Sequence, residues 1–235
     1  MKTLSLLLAG VLASGALQAA NAAARPVSPI HRILFLGDSL TDGYGLERPQ
    51  AYPALVAEKM RAAGYRFEVI NAGVSGDTTA GGLRRLPKYL HRKIDILVIE
   101  LGINDAFRGL PLEQVRSNLQ AIIDRMKKQN PAAQVIIAGM QLPIAGDDGY
   151  VREFGELFQA LAEKNHAALI PYLLEGVGGD PTLNIGDHIH PNAAGQRVLA
   201  ETIWKALEPL LEAPQNSAAR RSAKSEIKNQ KSEIQ

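Results

Sequence analysis

Cysteine is absent from all 235 residues of the chain. Its absence excludes disulfide bonds, cysteine-ligated metal sites, a cysteine nucleophile and a lipid-modified N-terminal cysteine. A domain of this size must therefore be stabilised by the packing of its core.

A large net charge is missing as well. Lysine and arginine number 26 against 24 aspartates and glutamates, which gives a formal net charge of +2. This balance gives no electrostatic reason to expect binding to nucleic acid or to an anionic membrane. Aromatic residues make up only 5% of the chain and offer no obvious surface on which sugar rings could stack. Gly-x-Ser-x-Gly, Walker A and Gly-x-Gly-x-x-Gly motifs are all absent, which argues against a nucleophile elbow and against nucleotide binding.

Long apolar runs are confined to the N-terminus. Lys2 precedes the mostly apolar stretch Leu4–Leu17, and Ala20-Asn21-Ala22 then has the A-x-A pattern at which a signal peptidase cuts. The run is shorter than the ~20 residues of a membrane-spanning helix. We predict a signal peptide over residues 1–22, export to the periplasm or the medium, and no integral membrane segment afterwards. An uncleaved anchor is the alternative.

The C-terminus has a different composition from the rest of the chain. From Pro214 onward Ala, Ser, Lys, Gln and Asn dominate, and Lys224-Ser225-Glu226-Ile227 recurs as Lys231-Ser232-Glu233-Ile234. Two copies of a tetrapeptide are too few for a structural repeat. We predict one folded domain over residues 23–213 and a disordered polar tail over 214–235.

Strand-like and helix-like segments alternate from Arg32 onward. Short apolar runs predict strands near 33–36, 67–70, 94–101, 135–138 and 168–170. Helical spacing predicts helices at 52–63, from about 80 to 90, at 112–126, at 150–164, and from Pro191 onward, the last burying Val198, Leu199, Ile203, Trp204 and Leu207. The alternation indicates an α/β fold with a mostly parallel five-stranded sheet covered on both faces by helices. In such sheets the ligand crevice lies at the carboxyl ends of the strands.

Four polar motifs follow predicted strands or precede the last predicted helix. They are Gly37-Asp38-Ser39-Leu40, Gly73-Val74-Ser75-Gly76-Asp77, Gly102-Ile103-Asn104-Asp105 and Asp187-His188-Ile189-His190-Pro191. All four therefore fall where the fold class places a site.

These motifs supply the groups that acyl transfer requires. Ser39 is the candidate nucleophile, His190 its general base, and Asp187 the group that orients the base. The backbone N–H of Ser39, the backbone N–H of Gly76 and the side-chain amide of Asn104 are the candidate donors of an oxyanion hole.

Each motif also has a purely structural interpretation. Gly-Asp-Ser is a common strand-to-loop junction, Asp-x-x-His a common surface turn, and Asn104-Asp105 could cap a helix. Ser75 is a rival nucleophile and His188 a rival base. A metal site on Asp187, His188 and His190 lacks a separated third ligand, so we predict no metal.

Taken together, the four motifs resemble those of the GDSL hydrolases, also called SGNH hydrolases. The resemblance covers about Ile33 to Leu211. Asn71–Thr79, Gly81–Pro87 and Arg108–Pro111 are similar to the periplasmic thioesterase I, lysophospholipase L1 and arylesterase branch, whose members often have glycine where this chain has Ile103. The family implies a three-layer α/β/α, flavodoxin-like fold, no cofactor and broad specificity for esters and thioesters.

The resemblance sets the functional expectation. It implies a serine hydrolase that cleaves carboxylic esters, acyl thioesters or lysophospholipids through an acyl-enzyme intermediate. Phe107 and Leu110, apolar residues in a loop, are the expected acyl contacts. We expect a small-molecule or lipid ester as substrate, and a monomer. The alternatives are a polysaccharide deacetylase and a non-catalytic lipid- or glycan-binding module on the same fold.

Overall fold

Parallel strands form the centre of the molecule. A computed structural model of the chain describes residues 31–142 and 149–211. Within these residues there is one five-stranded sheet in the order β2-β1-β3-β4-β5, with every pair parallel. The strands are β1 (His31–Gly37), β2 (Phe67–Gly73), β3 (Ile96–Glu100), β4 (Gln134–Ala138) and β5 (Ala168–Ile170). This order is that of flavodoxin-like doubly wound folds. The predicted fold class is confirmed.

The two central strands are apolar and fully buried. Residues 33–36 of β1 and the whole of β3 are inaccessible to solvent or nearly so. In register, Leu36 lies between Ala72 of β2 and Ile99 of β3. A strand buried on both faces needs a continuous apolar run rather than an alternating one, which explains why these two strands are the clearest in the sequence.

Seven helices of the described residues surround the sheet. They are α1 (Ser39–Asp42), α2 (Tyr52–Ala62), α3 (Thr79–Arg85), α4 (Ile103–Phe107), α5 (Leu112–Gln129), α6 (Gly149–Asn165) and α7 (193–211). Helices α2 and α7 pack together, as shown by the Lys59–Glu201 ion pair and by the position of Lys59 Nζ over the Trp204 ring. Helix α5 packs against α3 and α6. The result is three layers, helices on either side of one sheet.

Several element ends differ from the sequence prediction; β3, predicted over 94–101, covers only Ile96–Glu100. Strand β2 continues to Gly73, because the start of the polar turn still pairs with Gly37 of β1. Helix α3 ends at Arg85 and a 3-10 turn, Leu86–Lys88, follows it. Pro87 cannot donate a backbone hydrogen bond, so the longer helix predicted to about Leu90 does not form.

The start of the last helix was predicted wrongly at Pro191. Pro191 instead forms a bridge with Asn184, and the helix begins at 193. Asn192 caps it, since its Oδ1 accepts the N–H groups of Ala194 and Gly195. Val198 and Trp204, predicted to be buried, are half-buried, whereas Leu199, Ile203 and Leu207 are fully buried.

The predicted signal peptide, residues 1–22, and the predicted tail, residues 214–235, lie outside the described residues. The domain boundaries therefore stay predictions. Among residues 31–142 and 149–211, no helix combines the length and the apolar character that crossing a bilayer requires.

Candidate active site

A cavity of about 530 Å³ opens at the carboxyl edge of the sheet. Its walls include Ser39 after β1, Asn104 after β3, Gln141 after β4, Tyr172 after β5 and His190 before α7. From β1 the strand order runs to one side for β2 and to the other side for β3. The gap between β1 and β3 is therefore the switch point of the sheet, where doubly wound folds bind ligands.

Ser39 is the first residue of α1 and is separated from the end of β1 by Asp38 alone. Asp38 caps this short helix, because its Oδ1 accepts the N–H of Leu40 at 3.1 Å. Ser39 is 8% exposed, and its Oγ lies 2.9 Å from Nε2 of His190. A hydroxyl in this position can pass its proton to a neutral imidazole.

The other ring nitrogen of His190 contacts Asp187. Nδ1 lies 2.6 Å from Asp187 Oδ2, while Asp187 Oδ1 accepts the backbone N–H groups of Ile189 and His190 at 2.9 and 3.0 Å. Both oxygens of the carboxylate are thus used to hold one turn and one imidazole. The three side chains form a Ser–His–Asp chain of hydrogen bonds.

The charge of Asp187 is stabilised by this turn. Partial desolvation opposes ionisation, but the hydrogen bonds from the N–H and ring of His190 and from the N–H of Ile189 outweigh it and lower the pKa of Asp187 to about 2. Asp187 is therefore ionised at neutral pH and favours the imidazolium that proton transfer would create.

Tyr44 packs on the imidazole, a contact that sequence reasoning missed. The ring centroids of Tyr44 and His190 are 4.6 Å apart with the planes inclined at 43°. The backbone N–H of Tyr44 also donates to the carbonyl of Ser39 at 3.0 Å. The only sequence signal was an aromatic residue between Gly43 and Gly45, a few positions after Ser39.

The candidate oxyanion donors are two backbone N–H groups and one amide. Neither the N–H of Ser39 nor that of Gly76 has an acceptor in the described part of the chain. Gly76 has φ +76°, a left-handed conformation that favours glycine, and no atom lies within 4 Å of where its Cβ would be. The amide nitrogen of Asn104 donates to Asp38 Oδ2 at 2.9 Å, which leaves it a second N–H. Gly76 does not line the cavity itself among these residues.

Two arginines hold the Gly76 turn in place. Arg85 donates from Nε to Asp77 Oδ2 at 2.6 Å and from Nη2 to the carbonyl of Gly37 at 2.6 Å. Arg108 donates to the carbonyl of Gly76 at 2.8 Å. Both arginines lie in segments that carried the family resemblance, but nothing local indicated that they would contact this turn.

The structure separates the rival residues from these roles. The Oγ of Ser75 donates to Asp42 Oδ2 at 2.8 Å. His188 lines the cavity from a left-handed backbone position, φ 60°, whereas the ring of His190 contacts Ser39. Within the described residues, no three His, Asp or Glu side chains are placed to hold a metal ion. Asp105 does not cap its own helix, α4; its two oxygens accept the backbone N–H and the hydroxyl of Thr79, the first residue of α3.

Comparisons with known proteins show the family of this chain. Residues 35–198 match the model of the GDSL-like lipase/acylhydrolase family. The chain belongs to this family. Esterase TesA of Pseudomonas aeruginosa is 39% identical over 180 residues, which cover 76% of this chain and 89% of that protein. Thioesterase 1/protease 1/lysophospholipase L1 of Escherichia coli strain K12 is 35% identical over 181 residues, covering 76% and 84%. A crystal structure of TesA superposes with a TM-score of 0.73, covering 77% of this chain and all of that one.

This GDSL hydrolase is accordingly a serine esterase-type enzyme. Two apolar residues near the site were predicted to lie in a loop, but Phe107 is the last residue of α4. Phe107 is 53% exposed and lines the cavity. Leu110 is half-buried, does not line the cavity among the described residues, and accepts a hydrogen bond through its carbonyl from the Tyr150 hydroxyl at 2.9 Å.

Proposed function

We propose that this enzyme hydrolyses carboxylic esters and acyl thioesters through an acyl-enzyme formed on Ser39. The observation that carries the proposal is the continuous hydrogen-bonded path from Ser39 Oγ through both nitrogens of His190 to Asp187, 2.9 and 2.6 Å per step. The relatives, an esterase and a thioesterase/lysophospholipase, support the same class of substrate.

The reaction begins with attack of Ser39 Oγ on the carbonyl carbon of the substrate. The hydroxyl proton moves to Nε2 of His190, and Asp187 holds the imidazolium by its Nδ1–H. Negative charge develops on the former carbonyl oxygen. Hydrogen bonds stabilise it, from the N–H groups of Ser39 and Gly76 and from the second N–H of the Asn104 amide.

Collapse of this intermediate breaks the bond to the alcohol or thiol, which leaves with the proton from His190. Water then repeats the sequence on the acyl-enzyme and releases the acid, so that Ser39 is regenerated. Water is the second substrate of this sequence, and it supplies the oxygen and the proton that complete the acid and the regenerated hydroxyl.

The lining of the cavity supports an acyl chain as the bound part of the substrate. Leu40, Ile103 and Leu142 contribute apolar walls, and Phe107 and Ile189 lie at the solvent side, 53% and 48% exposed. The preferred occupant is a small or lipid ester with an apolar acyl group, lysophospholipids included. The cellular place that fits the predicted signal peptide is the periplasm or the medium.

A serine-directed phosphonate tests the central assignment. We expect one adduct per chain, found on Ser39 by peptide mapping, and none in Ser39→Ala, while the control Ser75→Ala is labelled like the wild type. An adduct on Ser75 would overturn the assignment. Hydrolysis rates of p-nitrophenyl esters and acyl-CoA thioesters of increasing length then separate an acyl hydrolase from an acetyl-specific deacetylase. A binding module would show neither label nor turnover.

A further inference from the structure

A carboxyl group is buried directly beneath the nucleophile turn, in Glu100 at the end of β3. Glu100 is completely buried and pairs in register with Gly37. A Cβ on residue 37 would lie 2.6 Å from Glu100 Oε2, so the glycine before Asp38 leaves the space that this carboxyl occupies. The acyl-transfer steps above make no use of Glu100.

One oxygen of Glu100 accepts three hydrogen bonds, and the other accepts none from the described residues. Oε2 accepts the N–H groups of Asp38 and Thr41, both at 3.2 Å, and the Thr41 hydroxyl at 2.7 Å. Oε1 is buried and has no N–H or O–H donor among the described residues. A charged carboxylate would leave that oxygen desolvated without compensation, whereas a protonated one needs only an acceptor.

The Asp38 carboxyl is the neighbouring acceptor. The backbone N–H of Asp38 already donates to Glu100 Oε2, and the two side chains lie close enough to share a hydrogen bond, which two carboxyl groups can do only when one carries a proton. Asp38 already accepts two N–H groups, from Leu40 at Oδ1 and from Asn104 at Oδ2. Each oxygen of Asp38 thus has a donor, whereas Oε1 of Glu100 has none, so the charge is better placed on Asp38 and the proton on Glu100.

The pKa shifts of the two carboxyl groups also favour a proton on Glu100 and a charge on Asp38. Burial and the neighbouring charge of Asp38 raise the pKa of Glu100 well above its usual range. Burial also raises the pKa of Asp38, but only to about 6, because the Leu40 N–H, Glu100, the Asn104 amide and the nearby His190 oppose that rise. Two adjacent buried carboxylates are strongly unfavourable, so the pair holds one negative charge.

We propose that Glu100 stays protonated at neutral pH and acts as a positioning residue for the oxyanion donor Asn104. Its O–H donates to Asp38, and this fixes the Asp38 carboxylate that receives one N–H of Asn104. The remaining N–H of Asn104 is then directed away from Asp38. The part of this role that concerns Asn104 rests on the proposed function. The protonation state does not.

Infrared spectroscopy of the full-length protein tests the proton directly. At pH 7 exposed carboxyl groups are ionised, so the C=O stretch of a neutral carboxyl reports a buried acid. We expect this band in the wild type and its loss in Glu100→Gln. Asp105→Asn is the matched control, because Asp105 is equally buried but accepts two hydrogen bonds from Thr79, and the band should persist in it. A wild-type spectrum without the band, or a band that survives in Glu100→Gln, overturns the proposal.

Kinetics tests the positioning role. Glutamine keeps an N–H for Asp38 and an oxygen for Thr41, so Glu100→Gln should retain kcat within about 3-fold. Glu100→Leu should lower kcat about 10- to 100-fold with little change in KM. The alkaline fall in wild-type kcat that loss of the Glu100 proton causes should be absent from Glu100→Gln.

The charged and titratable groups facing Glu100 are Asp38, with His190 beyond it, and Tyr52, whose pKa burial raises well above its usual range. Tyr52→Phe should therefore keep the alkaline fall. If Glu100→Gln loses kcat as severely as Asn104→Ala, the neutral-acid assignment is wrong. Phosphonate labelling of Ser39 in each variant shows separately whether the proposed acyl transfer itself holds.

Discussion

Asp187 Oδ2 lies 2.6 Å from Nδ1 of His190, and the other oxygen of the same carboxylate holds the backbone of the turn between them. One side chain thus orients both the imidazole ring and the peptide that carries it. Removing its charge should affect turnover and stability together.

The first prediction concerns Asp187→Asn. We expect kcat for ester hydrolysis to fall on the order of 10⁴-fold, because the amide no longer holds the imidazole in the required tautomer. Asp180→Asn is the control. Asp180 lies in the same loop, and its carboxylate accepts the N–H and the hydroxyl of Thr182 rather than contacting His190. The kcat of this variant should therefore match the wild type. Equal losses in both variants would indicate a loop-folding effect.

The lowered pKa of Asp187 predicts that the stability of the fold depends on pH. The pKa of Asp187 is lowered in the fold to about 2 from an ordinary value of 3.8. A carboxylate with a lowered folded-state pKa stabilises the protein above its unfolded pKa and loses that contribution as pH falls through the folded one. The difference in unfolding free energy between wild type and Asp187→Asn should therefore shrink from pH 4 to pH 2. Urea titrations across this range measure it, and a constant difference would contradict the prediction.

The two neighbouring histidines should behave differently. His190→Ala is expected to lower kcat by about 10⁴-fold or more, as loss of a triad base does. His188→Ala should keep most activity, because the ring that contacts Ser39 is that of His190. If His188→Ala lost more activity than His190→Ala, His188 rather than His190 would be the general base.

Asn104→Ala should lower turnover rather than binding. Its amide meets charge that exists only in the transition state, so we expect kcat to fall about 10²- to 10³-fold with little change in KM. Asn118→Ala is the matched control, because Asn118 donates to Thr79 on α3 and does not line the cavity among the described residues. A rise in KM at unchanged kcat would make Asn104 a substrate-binding residue.

Phe107 should control the preference for acyl length. Each buried methylene contributes at most about 0.8 kcal/mol, or about 4-fold in kcat/KM, until the pocket ends. Phe107→Ala should flatten this rise while sparing the shortest ester. Leu110→Ala should leave the profile unchanged, because Leu110 lies outside the cavity lining of the described residues. A p-nitrophenyl ester series measures both, and flattening by Leu110→Ala alone would place the acyl site elsewhere.

The sequence predicted the sheet well because its signal is local. Apolar runs at 33–36 and 96–99 were recognisable as buried strands from composition alone, and the residues that end them had to meet at one edge. The helix start at Pro191 was mispredicted because a local preference of proline competed with a bridge to Asn184, a tertiary contact.

The supporting residues of the site could not be predicted in the same way. Glu100 is a single carboxyl at the end of an apolar strand, and its partners lie 59 and 62 positions away in the chain. Arg85 reaches the carbonyl of Gly37 across 48 positions. Tyr44 contacts His190 only because two distant loops meet. The hydrophobic periodicity of the sequence carries no information about such contacts, so they are seen only in the folded chain.

The hydrogen bond between Ser39 and His190 joins residues 151 positions apart, while His190 and Asp187 are separated by three. The acid–base half of the site can therefore assemble within one loop, early and locally. The nucleophile meets it only when the last segment of the chain has docked on the first strand, a closure of high contact order. Recovery of catalysis after dilution from denaturant thus reports the completed fold. It will follow the return of secondary structure rather than accompany it.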